Sequence, residues 1–156
     1  MPVVEQTAVI KAPMALVMET LDEVETIPSW VTVTGTISNV KGRGRGMTYE
    51  WQYMINGVNF KGKSWVVEQT EDTLITKSTG DVDSLWTITL TPAGRKSTAI
   101  RVVVEYTPPH SFVELLADIL LQQFGDPEVA RDNMTRFKAM VEQRAAVEAE
   151  QFVTNR

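Results

Sequence analysis

The chain has 156 residues, 43% of them hydrophobic and 22% charged, with a net charge of −5 and a sequence pI near 4.9. That length suits a single domain over residues 1–156, able to bury roughly 70% of its unfolded surface without staples. Cysteine is absent, which excludes disulfides, a thiol nucleophile and a cysteine-ligated metal, and the acidic balance disfavours nucleic acid and anionic lipid surfaces.

In chain order, residues 3–10 are a short strand candidate, closed by Ala12-Pro13. Residues 14–24 carry Leu16, Val17, Thr20, Leu21 and Val24 at spacings of three and four, which predicts a short amphipathic helix that Ile27-Pro28-Ser29-Trp30 ends. The start of the chain lacks a basic segment followed by an apolar one, and no run approaches the roughly 20 apolar residues of a membrane span. The expectation is a cytoplasmic protein without stable membrane insertion.

Residues 31–40 are rich in β-branched side chains and read as a strand, followed by a turn at Lys41-Gly42-Arg43-Gly44-Arg45-Gly46. A phosphate-loop reading of that turn fails, because no Lys-Ser/Thr follows and the loop opens onto a strand. From Met47 the period is two: Tyr49, Trp51, Tyr53 and Ile55 share one face. Asn56-Gly57 then supplies the positive backbone angles of a tight hairpin. The return strand sets Phe60, Gly62, Ser64 and Val66 against Lys61, Lys63, Trp65 and Val67. Turns near Glu71-Asp72, at Gly80-Asp81 and at Thr91-Pro92-Ala93-Gly94 separate three further strands. On these, Leu74, Thr76 and Ser78 share a face, as do Ser84, Trp86, Ile88 and Leu90, and Ile100, Val102, Val104 and Tyr106 oppose Arg101 and Glu105.

The C-terminal third reads as helix. Phe112, Leu115, Leu116, Ile119 and Leu120 recur at helical spacing, and so do Ala130, Met134, Phe137 and Val141 after a break at Gly125-Asp126-Pro127. Asp126 is placed to cap the restart with Pro127 in its first turn. Between residues 111 and 124, Glu114, Asp118 and Gln122 form one narrow polar stripe. The apolar surface around the rest is wide enough to meet more than the sheet: a cavity or ligand, a second subunit in a homodimer, or a membrane surface. The fold class is therefore α+β, with a curved antiparallel sheet of about seven strands gripping a long C-terminal helix.

Ile10-Lys11-Ala12-Pro13, Val17, Leu21-Asp22, Trp30, Gly46, Tyr53, Gly62, Ser84-Leu85-Trp86-Thr87, Thr91-Pro92-Ala93-Gly94 and Val104-Glu105-Tyr106 carry a resemblance over nearly the whole chain. The sequence resembles the helix-grip, START-like superfamily, which holds lipid-transfer domains, plant proteins of the birch-pollen-allergen type and bacterial polyketide cyclases. From the residues alone, the inward aromatics could fill a solid core. The resemblance implies instead a cavity between sheet and helix, taking a small hydrophobic or amphipathic ligand such as a lipid, isoprenoid, polyketide or aromatic compound.

On that reading the ligand-binding residues are Tyr49, Trp51, Tyr53, Phe60, Gly62, Ser64, Ser78, Ser84, Trp86, Tyr106, Leu116 and Leu120, with Gly62 making room for something close to the backbone. No cofactor is implied. The single histidine, His110, makes metal binding a poor fit. His110 and Glu68 are the only acid–base candidates, Glu68 because it shares the inward parity of Val66, and no serine has a histidine–carboxylate partner set in view. Binding without catalysis leads; a polyketide cyclase or dehydratase-type enzyme and a protein-interaction module are the alternatives.

Overall fold

The computed structural model of the chain describes residues 3–55, 57–107 and 125–154. Strand β1 (Val3–Ile10) is followed by helix α1 (Met14–Asp22), a 3-10 turn (Val24–Thr26) and the short helix α2 (Ile27–Trp30). Six strands come next: β2 (Thr34–Lys41), β3 (Thr48–Ile55), β4 (Val58–Gln69), β5 (Thr73–Gly80), β6 (Asp83–Gly94) and β7 (Ser97–Thr107). Helix α3 (Pro127–Thr154) closes the described chain.

All the strands form one seven-stranded sheet in the order β1-β7-β6-β5-β4-β3-β2, antiparallel at every pairing. The six later strands are a meander, and β1 adds to its far edge beside β7. The α+β helix-grip architecture expected from the sequence is present. The strand parity also holds. Trp51, Phe60, Ile88 and Val104 are buried, Tyr53, Trp86 and Val102 half-buried, and Lys61, Lys63, Arg101 and Glu105 exposed.

The β3–β4 hairpin closes between Ile55 and Val58. Gly57 there takes φ +78°, a conformation that an L side chain rarely adopts. Three boundaries differ from the periodicity reading. Helix α1 stops at Asp22, and Ile27–Trp30 forms its own helical turn instead of a terminator, because Pro28 falls in the first turn where its missing N–H is no loss. Strand β2 begins at Thr34. Thr91-Pro92-Ala93-Gly94 is strand, with the turn displaced to Arg95-Lys96. The Leu90 amide donates to the Asp72 carbonyl on the β5 side, so Pro92, two residues on, turns its nitrogen to the same side. Register with β5 has already ended at Thr89, and a proline there forfeits no ladder bond.

Helix α3 packs on β1, α1 and α2. Asp126 caps it: its Oδ1 accepts from the Glu128 amide at 2.9 Å. Phe137 and Val141 are 3% and 0% exposed, and the Phe137 ring meets the Trp30 ring edge-on at 5.3 Å. Polar ties fix the helix along its length. Thr32 N donates to Asn133 Oδ1 at 2.9 Å, Lys11 N to Glu142 Oε2 at 2.8 Å, and Arg144 pairs with Glu23 at 2.9 Å. His110, Leu116, Leu120 and the Glu114, Asp118 and Gln122 stripe lie outside the described residues. Among the described residues no helix is long and apolar enough to cross a membrane.

Candidate functional site

Between the concave face of the sheet and α3 lies a cavity of about 180 Å³. Its floor is built from Trp51 and Tyr53 of β3, Ser64 of β4, Leu74, Thr76 and Ser78 of β5, Ser84, Trp86 and Ile88 of β6, Ile100, Val102, Val104 and Tyr106 of β7, and Val4 and Gln6 of β1. Val129, Ala130, Asn133, Met134 and Phe137 of α3 form the roof. The end wall is Leu21, Ile27, Trp30 and the segment Val31, Thr32 and Val33. Alternation along each strand produces this: every second side chain points to the same face, so a run such as Ser84, Trp86, Ile88 lines one surface.

Register then arranges the polar members. Tyr49 opposes Ser64, Ser64 opposes Ser78, Ser78 opposes Ser84, and Ser84 opposes Tyr106. Five hydroxyl residues therefore form one row across β3 to β7, perpendicular to the strands. Ser64 and Ser78 are hydrogen-bonded to each other at 2.5 Å. Tyr49 bonds to Ser64 from the other side, and Trp86 Nε1 donates to Ser84 Oγ at 3.2 Å. To one side of this row come mostly apolar rows, first Thr76, Trp86 and Val104 and then Leu74, Ile88 and Val102.

The wall's chemistry is neutral. Among the described lining residues there is no carboxylate, histidine, lysine or arginine. Tyr53 and Tyr106 are the titratable groups on it, and burial pushes both phenols well above the usual tyrosine range, with Tyr49 adding to the rise at Tyr53 and Tyr53 to that at Tyr106. Burial raises Tyr49 as well, its hydrogen bond to Ser64 offsetting part of the shift. All three phenols stay protonated, and none is a base near neutral pH. Among the described residues no three His, Cys, Asp or Glu side chains come together as a metal site requires.

Of the residues singled out in the sequence, Trp51, Tyr53, Ser64, Ser78, Ser84, Trp86 and Tyr106 line this cavity. Tyr49 and Phe60 are buried beside it in the core. Gly62 is not among the lining residues; the Trp51 ring and the Thr79 carbonyl approach its backbone, each 2.3 Å from where a Cβ would sit. Glu68 is exposed, because the β4–β5 register shifts between Val66 and Glu68, and a one-residue bulge sends the following side chain to the other face.

A helix over the cavity is expected from the sequence, but its assigned lining residues are Leu116 and Leu120; the second half of the helix as roof, and the end wall, are not among the assigned site residues. Gln6, Trp30, Thr32 and Asn133 belong to the lining as well. Trp30 Nε1 and Thr32 Oγ1 are closed off from water and have no hydrogen-bond partner among the described residues. The only signal in the sequence for this end of the site was a large aromatic closing a short helix.

An antiparallel sheet gripping a C-terminal helix over a mostly apolar cavity defines a helix-grip, START-like protein. The chain belongs to the family described as "Polyketide cyclase / dehydrase and lipid transport", whose model matches residues 1–142. Solved structures repeat the fold. The TTHA0849 protein of Thermus thermophilus aligns with a TM-score of 0.75 at 17% identity, covering 92% of this chain and 99% of that one. The Zhui aromatase/cyclase of Streptomyces sp. R1128 gives 0.71 at 13% identity, covering 91% and 94%. A START superfamily protein of Mycobacterium smegmatis gives 0.63 at 14% identity, covering 94% and 98%. No curated protein matches the sequence.

Proposed function

We propose that the protein reversibly binds a small hydrophobic or amphipathic molecule in the cavity between sheet and helix and does not transform it. One observation carries this reading: the described wall is apolar with interspersed hydroxyls and holds no acid–base pair. Such a surface buries a ligand's apolar body and orients it through hydrogen bonds. Proton transfer, by contrast, needs a titratable group poised near the working pH within reach of the reacting atom. The raised tyrosines are far from that condition. Trp30 Nε1 and Thr32 Oγ1, desolvated and without a partner among the described residues, add support, since a buried polar group without a partner costs about 1–3 kcal/mol that a ligand's polar atom can recover. At about 180 Å³ the space favours one or two rings over the larger ligands of pockets of roughly 300–1,000 Å³.

The second reading is a polyketide cyclase or dehydratase-type enzyme. It is favoured by the family description and by the aromatase/cyclase among the structural neighbours. Titration of the wild type with a bicyclic aromatic, followed by tryptophan fluorescence through Trp51 and Trp86, separates the two. Binding that survives His110→Ala and Glu68→Gln within about tenfold, or 1.4 kcal/mol, supports the binder. Turnover that disappears in either variant while binding persists establishes the enzyme.

A further inference from the structure

We propose that the end wall at Trp30 and Thr32 is the polar end of the cavity, where the Trp30 indole N–H donates to a neutral oxygen of the ligand. The ligand is then an amphipathic molecule with a carbonyl or hydroxyl oxygen at one end of a ring-sized apolar body. This deepens the cavity-binding reading and rests on it.

Trp30 closes α2, and residues 31–33 run on to β2 without belonging to a helix or strand. Two contacts hold this stretch against α3. Thr32 N donates to Asn133 Oδ1 at 2.9 Å, and the Trp30 ring meets the Phe137 ring at 5.3 Å. Asn133 and Phe137 are four positions apart on α3, so they sit one above the other on the same helix face and the two contacts are neighbours. All four residues line the cavity.

The polar atoms of this wall are incompletely used. Three buried side-chain polar atoms lack a partner among the described residues, and two of them are Trp30 Nε1 and Thr32 Oγ1. Gln69, which carries the third, is not a lining residue. Folded proteins satisfy nearly all such atoms, because a buried donor without an acceptor forfeits the hydrogen bond it made to water. Solvent reaches neither atom, so water does not restore the loss. A ligand that supplies the missing partner accounts for both orphans falling within three residues on the cavity wall. The irregular stretch 31–33 lets the wall shift as that partner arrives.

The atoms decide the ligand's chemistry. An indole N–H can only donate, whereas a hydroxyl both donates and accepts, so the group opposite Trp30 must accept. A carboxylate is a poor match, because the described wall offers it no positive partner and a desolvated charge without one is costly. An ammonium gives the indole nothing to donate to. A neutral carbonyl or hydroxyl oxygen remains, and the apolar floor around Ile88 and Val102 takes the body.

Recognition through orphaned atoms leaves a signature: removing one stabilises the unliganded fold while weakening recognition, whereas a purely structural polar atom loses stability when removed. The test uses 1-tetralone and tetralin, which share a bicyclic skeleton and differ in one carbonyl. In isothermal titration the readout is the ratio of tetralone to tetralin affinity, which cancels any loss of packing common to both. Trp30→Phe should lower that ratio roughly three- to tenfold, the worth of one neutral hydrogen bond. Thr32→Val should raise the Tm of the unliganded protein by roughly 2–4 °C. Nitrogen-labelled wild type gives a readout that needs no variant: the Trp30 indole N–H proton should move further downfield on tetralone than on tetralin. The proposal stands only if all three results hold. An unchanged ratio, a lower Tm in Thr32→Val, or equal indole shifts with the two compounds overturns it and leaves cavity binding standing. If neither compound binds the wild type, cavity binding itself fails and the polar end with it.

Discussion

Replacing Gly62 by alanine separates two accounts of why glycine occupies the middle of β4. A Cβ built there lies 2.3 Å from Trp51 Cζ2, 2.8 Å from Trp51 Cε2 and 2.3 Å from the Thr79 carbonyl oxygen. Comfortable carbon contacts are about 3.5–4.0 Å, so the overlap exceeds 1 Å on two sides. The indole can move, although it is stacked on Tyr53 at 5.7 Å. The carbonyl belongs to a backbone held in the β4–β5 ladder, where Gly62 faces Gly80 and Lys63 faces Thr79. Overpacking of this kind costs about 1–3 kcal/mol, and alanine recovers about 0.4–1 kcal/mol by restricting the unfolded chain. The net expectation is a loss of about 1–2 kcal/mol, or a fall in Tm of roughly 2–8 °C at this chain length. Thermal and urea melts of Gly62→Ala beside a 1-tetralone titration check it. Unchanged stability with lost binding would refute the reasoning, since it would mean that Gly62 makes room for ligand and not for Trp51.

Two further outcomes follow from burial. Phe137→Ala, which opens a hole between α3 and the Trp30 ring, should cost about 3–5 kcal/mol in denaturant melts, whereas Arg136→Ala on the exposed side of the same helix should change stability by no more than about 0.5 kcal/mol. The chain's three tyrosines all have raised phenol pKa values; absorbance near 295 nm should show no tyrosinate in the folded protein as pH passes about 10, the ordinary value. The sign for stability follows from proton counts: above about pH 10 the unfolded chain has released phenol protons that the folded chain retains, so stability falls as pH rises through that range. A reversible tyrosinate signal at pH 10 without unfolding would mean that these rings are not buried.

Most of the sheet was legible because its code is local. Period-two runs such as Tyr49, Trp51, Tyr53 and the Asn56-Gly57 turn specify strand, face and register within a few residues, and the facing of Lys61, Lys63, Arg101 and Glu105 follows from the same alternation. The misreadings have equally local causes. Thr91-Pro92 looks like a turn until it is known that β5 ends before Pro92 needs a partner, and Glu68 looks inward until the bulge after Val66 is counted. Both depend on what lies across the strand. The hydroxyl row was half legible: Ser64, Ser78 and Ser84 were each assigned inward, but only the register aligns them with Tyr49 and Tyr106. Contacts far apart in sequence, such as Trp30 on Phe137 and Thr32 on Asn133, leave no periodic trace.

The claim that the space between sheet and helix is the binding site is tested most directly by filling it. Val102 lies on the cavity floor and is half-buried, so Val102→Phe places a ring where the ligand's body belongs without touching the hydroxyl row. Tryptophan fluorescence should report saturable 1-tetralone binding by the wild type and an affinity at least about tenfold weaker, or 1.4 kcal/mol, in a Val102→Phe protein whose circular dichroism is unchanged. Equal affinity in the two proteins would contradict the account, because a ligand indifferent to a filled cavity is bound somewhere else.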